Sequence, residues 1–427
     1  MLIAQHVCSP GSRFTAFPTP WYLCDLILPS GGPSRGTVNC QIPHIIILTM
    51  SSSPFPAPVG ARGVLNSSEA LPITAQELTA EWFTKILGRK VKTATIVKEI
   101  HATASKILLD LTYEENTDET DAPTQVCVKG GFDAALMAAF PSLMWTYRRE
   151  AELYFYISPI VKMNLPKVWY CGTDTVAGQG LVVMSNLIAE GCSFGQPLEP
   201  WPVERVRAGV EQLAALHAET WGASVERFPW LEGDKAMGGN PLQGMIVSLV
   251  SPPAWEVRFE KSSPPPLPPA MANRDRMERA FKTMWATENP KFRCVVHGDA
   301  HIGNTLIRPD GRPGFIDWQG SHAGVSLQDL AYFITGAMDI EVRRKHEVDL
   351  VKHYLKALHE SGGPKFEKED VWDDYRKHAL HGLAWALTAP GMQPDDNVFI
   401  MTERHAAAVA DHKTFELLES LPEYVKE

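Results

Sequence analysis

The chain has 427 residues, 44% of them apolar and 21% charged, which is ordinary for a globular protein and enough to bury two cores. Its formal net charge of −10 argues against nucleic acid or an anionic membrane as the main partner, because both select for basic surfaces. No stretch approaches the roughly 18 apolar residues of a membrane span, the best being the short run Ile45 to Leu48.

The amino terminus lacks the basic-then-apolar layout of a secretory signal. Seven cysteines without CxxC pairs read as free thiols of a reducing, cytoplasmic compartment. Residues 1–70 are rich in Pro, Gly and Ser with no sustained period, a composition that buries too little apolar surface to offset its ordering entropy. They are expected to be a disordered arm, or in part an over-extended gene model, since Met50 opens a natural-looking start.

Order is expected from Thr74, where "TAQELTAEWFTKILG" reads as one helix with a Thr74–Glu77 capping box and a stop at Gly88. The runs "TATIVKEI", "SKILLDLTY" and "TQVCVKG" read as antiparallel strands, followed by a helix in "SLMWTYRREAELYFYISP" and strands at "PKVWYCG" and "GLVVMSNL". Beyond them the chain turns helical. "WPVERVRAGVEQLAALHAETWG" carries Val203, Val206, Val210, Leu213 and Leu216 on one stripe. The segment from Pro252 to Pro269 reads as a polyproline-like loop, and "RRKHEVDLVKHYLKALHESGGP" and "RHAAAVADHKTFELLESL" as helices. The expected architecture is α+β and two-lobed: a small antiparallel-sheet N-lobe over 71–187 and a larger helical C-lobe over 188–427.

The strongest chemical signal is "VVHGDAHIGNTLIRPDGRPGFIDWQG" from Val295 to Gly320. The Asp310-Gly311 turn predicts a hairpin that folds Asp317 back beside Asn304. Phosphoryl transfer to a hydroxyl needs one carboxylate to orient the attacking group, and a second carboxylate plus an amide oxygen to hold Mg2+ against phosphates. Asp299 fits the first role, Asn304 and Asp317 the second.

Together with "LVVMSNLIAEG", "LAALHAETWG" and "LQDLAYF", this segment resembles the aminoglycoside phosphotransferase and choline kinase superfamily, in its CHK or ecdysteroid-kinase-like branch. The resemblance implies a protein-kinase-like fold, ATP and Mg2+ as cofactors, and a phosphotransferase acting on an alcohol group. It implies that Lys129 grips phosphate and Glu150 pairs with it, with Glu152 as the substitute. Backbone groups of Ser185 and Leu187 in "VMSNL" would meet adenine, His297 would shape the catalytic loop, and Asp329 would tie that loop down from within. The chain departs from the kinase pattern at the phosphate loop, "EIHATASKILL", which has no glycine and leaves Ser105 to offer donors.

Asp317 and Asp329 stand about a dozen residues apart, leaving no room for a peptide-docking activation segment. The acceptor is therefore expected to be a small molecule, bound around Trp221 to Met245 and the Pro-rich stretch. Trp230, Trp255, Glu232 and Asp234 suit a cationic or amphipathic acceptor, or else serve core packing and surface charge. His217 reads as a packed helix histidine, and His301 as loop surface or a substrate contact. Two other readings are a nucleotide- or ligand-binding pseudokinase and a metal-dependent hydrolase using His297, Asp299 and His301.

Overall fold

A computed structural model describes residues 65, 67, 70–114, 122–140, 143–174, 178–231 and 240–424. The expected arm therefore lies almost wholly outside the described residues, as do Glu232 and Asp234. The α+β arrangement is the one expected, a five-stranded antiparallel sheet joined to a mainly helical lobe.

The sheet comprises β1 (Val91–Ile100), β2 (Ser105–Tyr113), β3 (Gln125–Gly130), β4 (Val168–Asp174) and β5 (Gln179–Ser185), in the order β1-β2-β3-β5-β4. Strand alternation sorts its side chains into two faces. Ile107, Leu109, Leu111, Val126, Val128, Leu181 and Val183 pack outward against α1 (Ala80–Leu87) through Trp82 and Phe83. Leu108, Cys127, Val182 and Met184 turn inward and join a core continuous with the helical lobe.

The single helix expected from Thr74 is instead two elements. The Thr74–Glu77 capping box is present, but it caps only the short turn Ala75–Glu77. Thr79 then starts α1 afresh by accepting the Trp82 N–H at 3.2 Å, and Gly88 closes it at φ +63°. A second capping residue inside the pattern restarted the helix. Two helices follow β3, the short α2 (Ala134–Ala139) and α3 (Leu143–Tyr156), the latter lying on the inner sheet face through Ala151 and Tyr154.

In the helical lobe, α4 (Val203–Glu219) buries Val206, Val210, Leu213 and Leu216 as the stripe predicts. Strand β6 (Ser193–Phe194) pairs with β8 (Thr305–Ile307), which pairs with β9 (Pro313–Phe315); β7 (Arg293–Val296) pairs with β10 (His322–Val325). The Pro-rich stretch is only partly loop: Pro252–Trp255 is a helical turn continued by a π-turn over Glu256–Glu260. Two prolines at a helix start satisfy that turn's geometry. The last helix also divides, into Asp395–Asp411 and Thr414–Glu419, because Lys413 adopts a left-handed φ of +50°.

Candidate active site

The β8–β9 hairpin performs the predicted return. Thr305 pairs with Phe315, and the Ile316 N–H donates to the Asn304 carbonyl at 2.9 Å, so Asp317 follows directly on the backbone pair that holds Asn304. Asp317 sits at φ +66°, one of two non-glycine residues described with a left-handed backbone. Aspartate tolerates that region better than most residues, and such strain collects at functional sites.

Across the cleft, Lys129 ends the inner row of β3 and donates from Nζ to Asp317 Oδ1 at 2.9 Å and to Glu150 Oε2 at 2.7 Å. Both Lys129 and Glu150 are about 95% buried. Glu152 is not the substitute partner; it meets Arg148 at 2.5 Å. Glu150 Oε1 also accepts the Trp318 N–H at 3.4 Å, so α3 holds both the sheet lysine and the residue after Asp317. Burial works to raise the Asp317 pKa, yet the Lys129 ammonium holds this carboxyl well below the usual range. Burial likewise opposes the Lys129 charge, and Asp317 and Glu150 more than offset it.

Asp299 keeps 37% of its side chain exposed, more than any residue just named. Asn304 Nδ2 donates to its Oδ2 at 2.9 Å and to its carbonyl at 3.0 Å. The Tyr332 hydroxyl donates to Oδ1 at 3.3 Å. Burial alone would raise the Asp299 pKa, but the imidazoles of His301 and His297 pull it below the ordinary value. With Nδ2 donated to Asp299, the remaining side-chain atom of Asn304 is an amide oxygen, an atom type that Mg2+ accepts. A carboxylate and an amide oxygen side by side suit Mg2+, which keeps several waters and phosphate oxygens in its shell.

The loop carrying Asp299 is tied from beneath. Asp329, fully buried, accepts the His297 N–H at 2.6 Å through Oδ2 and the Gly298 N–H at 2.9 Å through Oδ1. His217 donates Nε2–H to the same carboxylate at 3.2 Å and accepts the Tyr354 hydroxyl at Nδ1, 2.9 Å away. The packed helix histidine is thus a member of a buried polar network. Burial works to raise the Asp329 pKa, but the His217 hydrogen bond, the charges of His217 and His297 and the His297 N–H together hold it below the ordinary value. Gly298 stands at φ +83°, and a Cβ there would lie 2.2 Å from the Gly320 carbonyl oxygen.

His297 donates from Nε2 to the Ile316 carbonyl at 3.0 Å and accepts the Asp299 N–H at Nδ1, 3.2 Å away. Both ring nitrogens are spent on backbone, which argues against His297 as a zinc ligand. Among the described residues no group of three or more His, Cys, Asp or Glu side chains is placed to hold a metal. His301 is not loop surface: it is 4% exposed, with Nδ1 accepting the Gly303 N–H at 3.0 Å and Nε2 lying 3.7 Å from Asp299.

Next to Asp299, His301 and Tyr332 pack among buried aromatic neighbours. His301 lies edge-on to Trp385, and His381 edge-on to Tyr332. Burial pushes the pKa values of His301 and His381 down to about 4, so both imidazoles are neutral at neutral pH. Of these residues, His381 and Trp385 were not singled out in the sequence, because they lie outside any motif shared with Asp299. Trp230 and Trp255, by contrast, are core residues. Trp230 is fully buried, with the Arg149 guanidinium 5.0 Å from its ring, and Trp255 stacks on Phe259 at 4.0 Å.

At the expected adenine end, the Ser185 N–H donates to the Lys167 carbonyl at 2.8 Å, and the Leu187 carbonyl accepts the Cys192 N–H at 2.9 Å. The Ser185 N–H and the Leu187 carbonyl are thus already engaged within the fold. Ser185 Oγ is buried without a partner among the described residues. Ser105 opens β2, and its hydroxyl lies 3.2 Å from His101 Nδ1, inside the glycine-free turn.

The ecdysteroid kinase-like family model matches residues 269–362, the segment that contains Asp299, Asn304, Asp317 and Asp329. No curated protein matches the chain. Among solved structures, aminoglycoside 2'-phosphotransferase-IIIa in its GDP complex is similar at 15% identity and a TM-score of 0.44, covering 77% of this chain and 96% of its own. The Plasmodium vivax ethanolamine kinase is similar at 11% identity and a TM-score of 0.43, covering 80% and 85%. The Streptococcus pneumoniae choline kinase stands at 15% and 0.41, covering 79% and 99%. Among the described residues no helix is long and apolar enough to cross a membrane.

Proposed function

We propose that this chain is an ATP-dependent kinase that transfers the γ-phosphate of ATP to a hydroxyl group of a small molecule. The observation that supports it best is the contact of Lys129 with Asp317, residues 188 positions apart that meet across the cleft while Glu150 holds the lysine from behind. A strand lysine, a helix glutamate and a loop aspartate joined this way form the phosphate-handling centre that phosphoryl transfer requires. We take 71–187 as the nucleotide-binding lobe and 188–427 as the lobe that carries the catalytic loop and the acceptor.

In this reading backbone groups of Ser185 and Leu187 meet the adenine edge. Lys129 binds phosphate oxygens, and Glu150 keeps its ammonium aimed into the cleft. Asn304 and Asp317 hold Mg2+, which when bound neutralises charge on the phosphates. Asp299 orients the acceptor hydroxyl. A carboxyl held below its ordinary pKa is a weak base, so its contribution is alignment first and proton acceptance late, as the bond to phosphorus forms. Asn304 and Tyr332 fix its rotamer from either side. The neutral wall of His301, Tyr332, His381 and Trp385 excludes water without offering a competing charge. That surroundings set favours an uncharged or amphipathic alcohol over a polycation.

The test is ADP release by the purified protein with Mg2+ and ATP against a panel of small alcohols, amino alcohols, aminoglycosides and sterols, with nucleotide binding scored by thermal shift. Acceptor-dependent ADP release supports the reading and identifies the acceptor class. Binding of MgATP with no release for any acceptor supports a pseudokinase instead. Neither binding nor release defeats the nucleotide assignment.

A further inference from the structure

Antiparallel pairing sets a second lysine in the cleft. In the β2–β3 ladder, Lys106 stands directly opposite Lys129, and one row on, Leu108 stands opposite Cys127. Directly opposed residues share a sheet face. Leu108 and Cys127 belong to the inward core, so Lys106 points the same way as Lys129, toward α3 and Asp317. Val182 of β5 completes the row on the far side of Lys129. Lys106 is thus placed beside the phosphate-handling centre, one strand nearer the glycine-free turn.

The two lysines are differently served. Lys129 has two carboxylates in contact. Lys106, half-buried, has no ion pair or hydrogen bond among the described residues. Like charges directly opposed across a sheet cost stability, and a half-buried ammonium without a partner costs more. Consistent with that, burial first and Lys129 second depress the Lys106 pKa, against the weaker pull of Asp317 and Glu150. A position that is costly in the empty protein and faces a phosphate-handling centre is suited to an anion.

The turn itself is poorly equipped for one. The Ser105 hydroxyl lies against His101, and the Thr103 carbonyl is taken by the Tyr147 hydroxyl at 2.6 Å. A glycine-rich turn supplies backbone donors by closing over phosphates; here α3 ties the turn down from its other side.

We propose that Lys106 is a second phosphate-binding cation of the nucleotide site, taking a non-bridging oxygen of the triphosphate beside Lys129 and supplying the charge that a glycine-rich turn would otherwise supply as backbone donors. This rests on the nucleotide reading above. Binding through an ammonium rather than a closed loop makes triphosphate affinity depend on ionic strength.

The test compares the full chain with Lys106→Met and Lys106→Arg by calorimetric titration of MgATP and of adenosine, with apo melting temperatures measured alongside. Lys106→Met should weaken MgATP roughly ten- to hundredfold and leave adenosine unchanged, and Lys106→Arg should recover most of the loss. Apo Lys106→Met should melt no lower than the wild type, since it removes an unpaired charge, while its stabilisation by MgATP shrinks. A purely structural lysine would give the reverse pattern. MgATP affinity unchanged in Lys106→Met overturns the inference and leaves the kinase reading standing. Equal loss for adenosine and MgATP, or a lower apo melting temperature, also overturns it. Wild-type protein that binds no MgATP removes the kinase reading and this inference together.

Discussion

Replacing Asp329 by asparagine tests how the catalytic loop is held. The carboxylate accepts two backbone N–H groups, His297 at 2.6 Å and Gly298 at 2.9 Å, and the His217 imidazole at 3.2 Å, all without solvent. An asparagine has the same shape but must turn an NH2 toward one of these donors. One charge-assisted hydrogen bond is lost, about 1.5–3 kcal/mol, and a buried donor then faces another donor, a further 1–3 kcal/mol or so. The expected destabilisation is about 3–5 kcal/mol, large against the total stability of a domain. Urea denaturation measures it, and amide exchange at His297 and Gly298 localises it. A change below about 1 kcal/mol with exchange protection intact at both amides would refute the reasoning that Asp329 holds this loop.

Asp317→Asn should keep the fold, since asparagine also tolerates the left-handed backbone at φ +66°, yet lose Mg2+-dependent turnover by roughly a hundredfold or more. A Mg2+ titration of ADP release checks it, and retained turnover at saturating Mg2+ would contradict the metal assignment. Glu288 offers a pH test away from the site. Burial pushes its pKa from 4.5 up to about 7, with Arg293 and Lys377 pulling weakly the other way. The folded state therefore binds this proton more tightly than the unfolded chain, so the contribution is present below the unfolded value and lost as pH rises through about 7. The loss has a ceiling of about 3 kcal/mol, reduced by the carboxyl's partial exposure. Glu288→Gln should flatten that part of the stability curve and exceed the wild type at pH 8, as denaturant midpoints across the pH range would show; an unchanged curve would count against it.

The site's acidic half was legible because its residues lie within one hairpin. A β-turn at Asp310-Gly311 fixes the return, and the return fixes Asp317 beside Asn304. The pairing of Lys129 with Glu150 came from the family resemblance rather than from local pattern, and the two side chains do meet, at 2.7 Å. Lys106 was not legible. Its partnership with Lys129 depends on register, and the long acidic connection between β2 and β3 leaves register undetermined by local pattern. The surroundings of Tyr332 and His301 escaped for a related reason, since His381 and Trp385 pack on them from separate helical segments outside any motif. Of the two readings open for Trp230 and Trp255, acceptor contact or core packing, the structure shows core packing. The restart at Thr79 and the break at Lys413 show how a local cap or a left-handed residue divides a helix whose periodicity runs on unbroken.

The central claim is that Asp299 aligns a small-molecule hydroxyl for phosphoryl transfer. The most direct measurement is transfer of labelled γ-phosphate from ATP to the acceptor found by screening, for the wild type and Asp299→Asn, with MgATP affinity measured on both. MgATP affinity is expected to stay unchanged in the variant while turnover falls by roughly a hundred- to ten-thousandfold. Near-normal transfer by Asp299→Asn would contradict the claim.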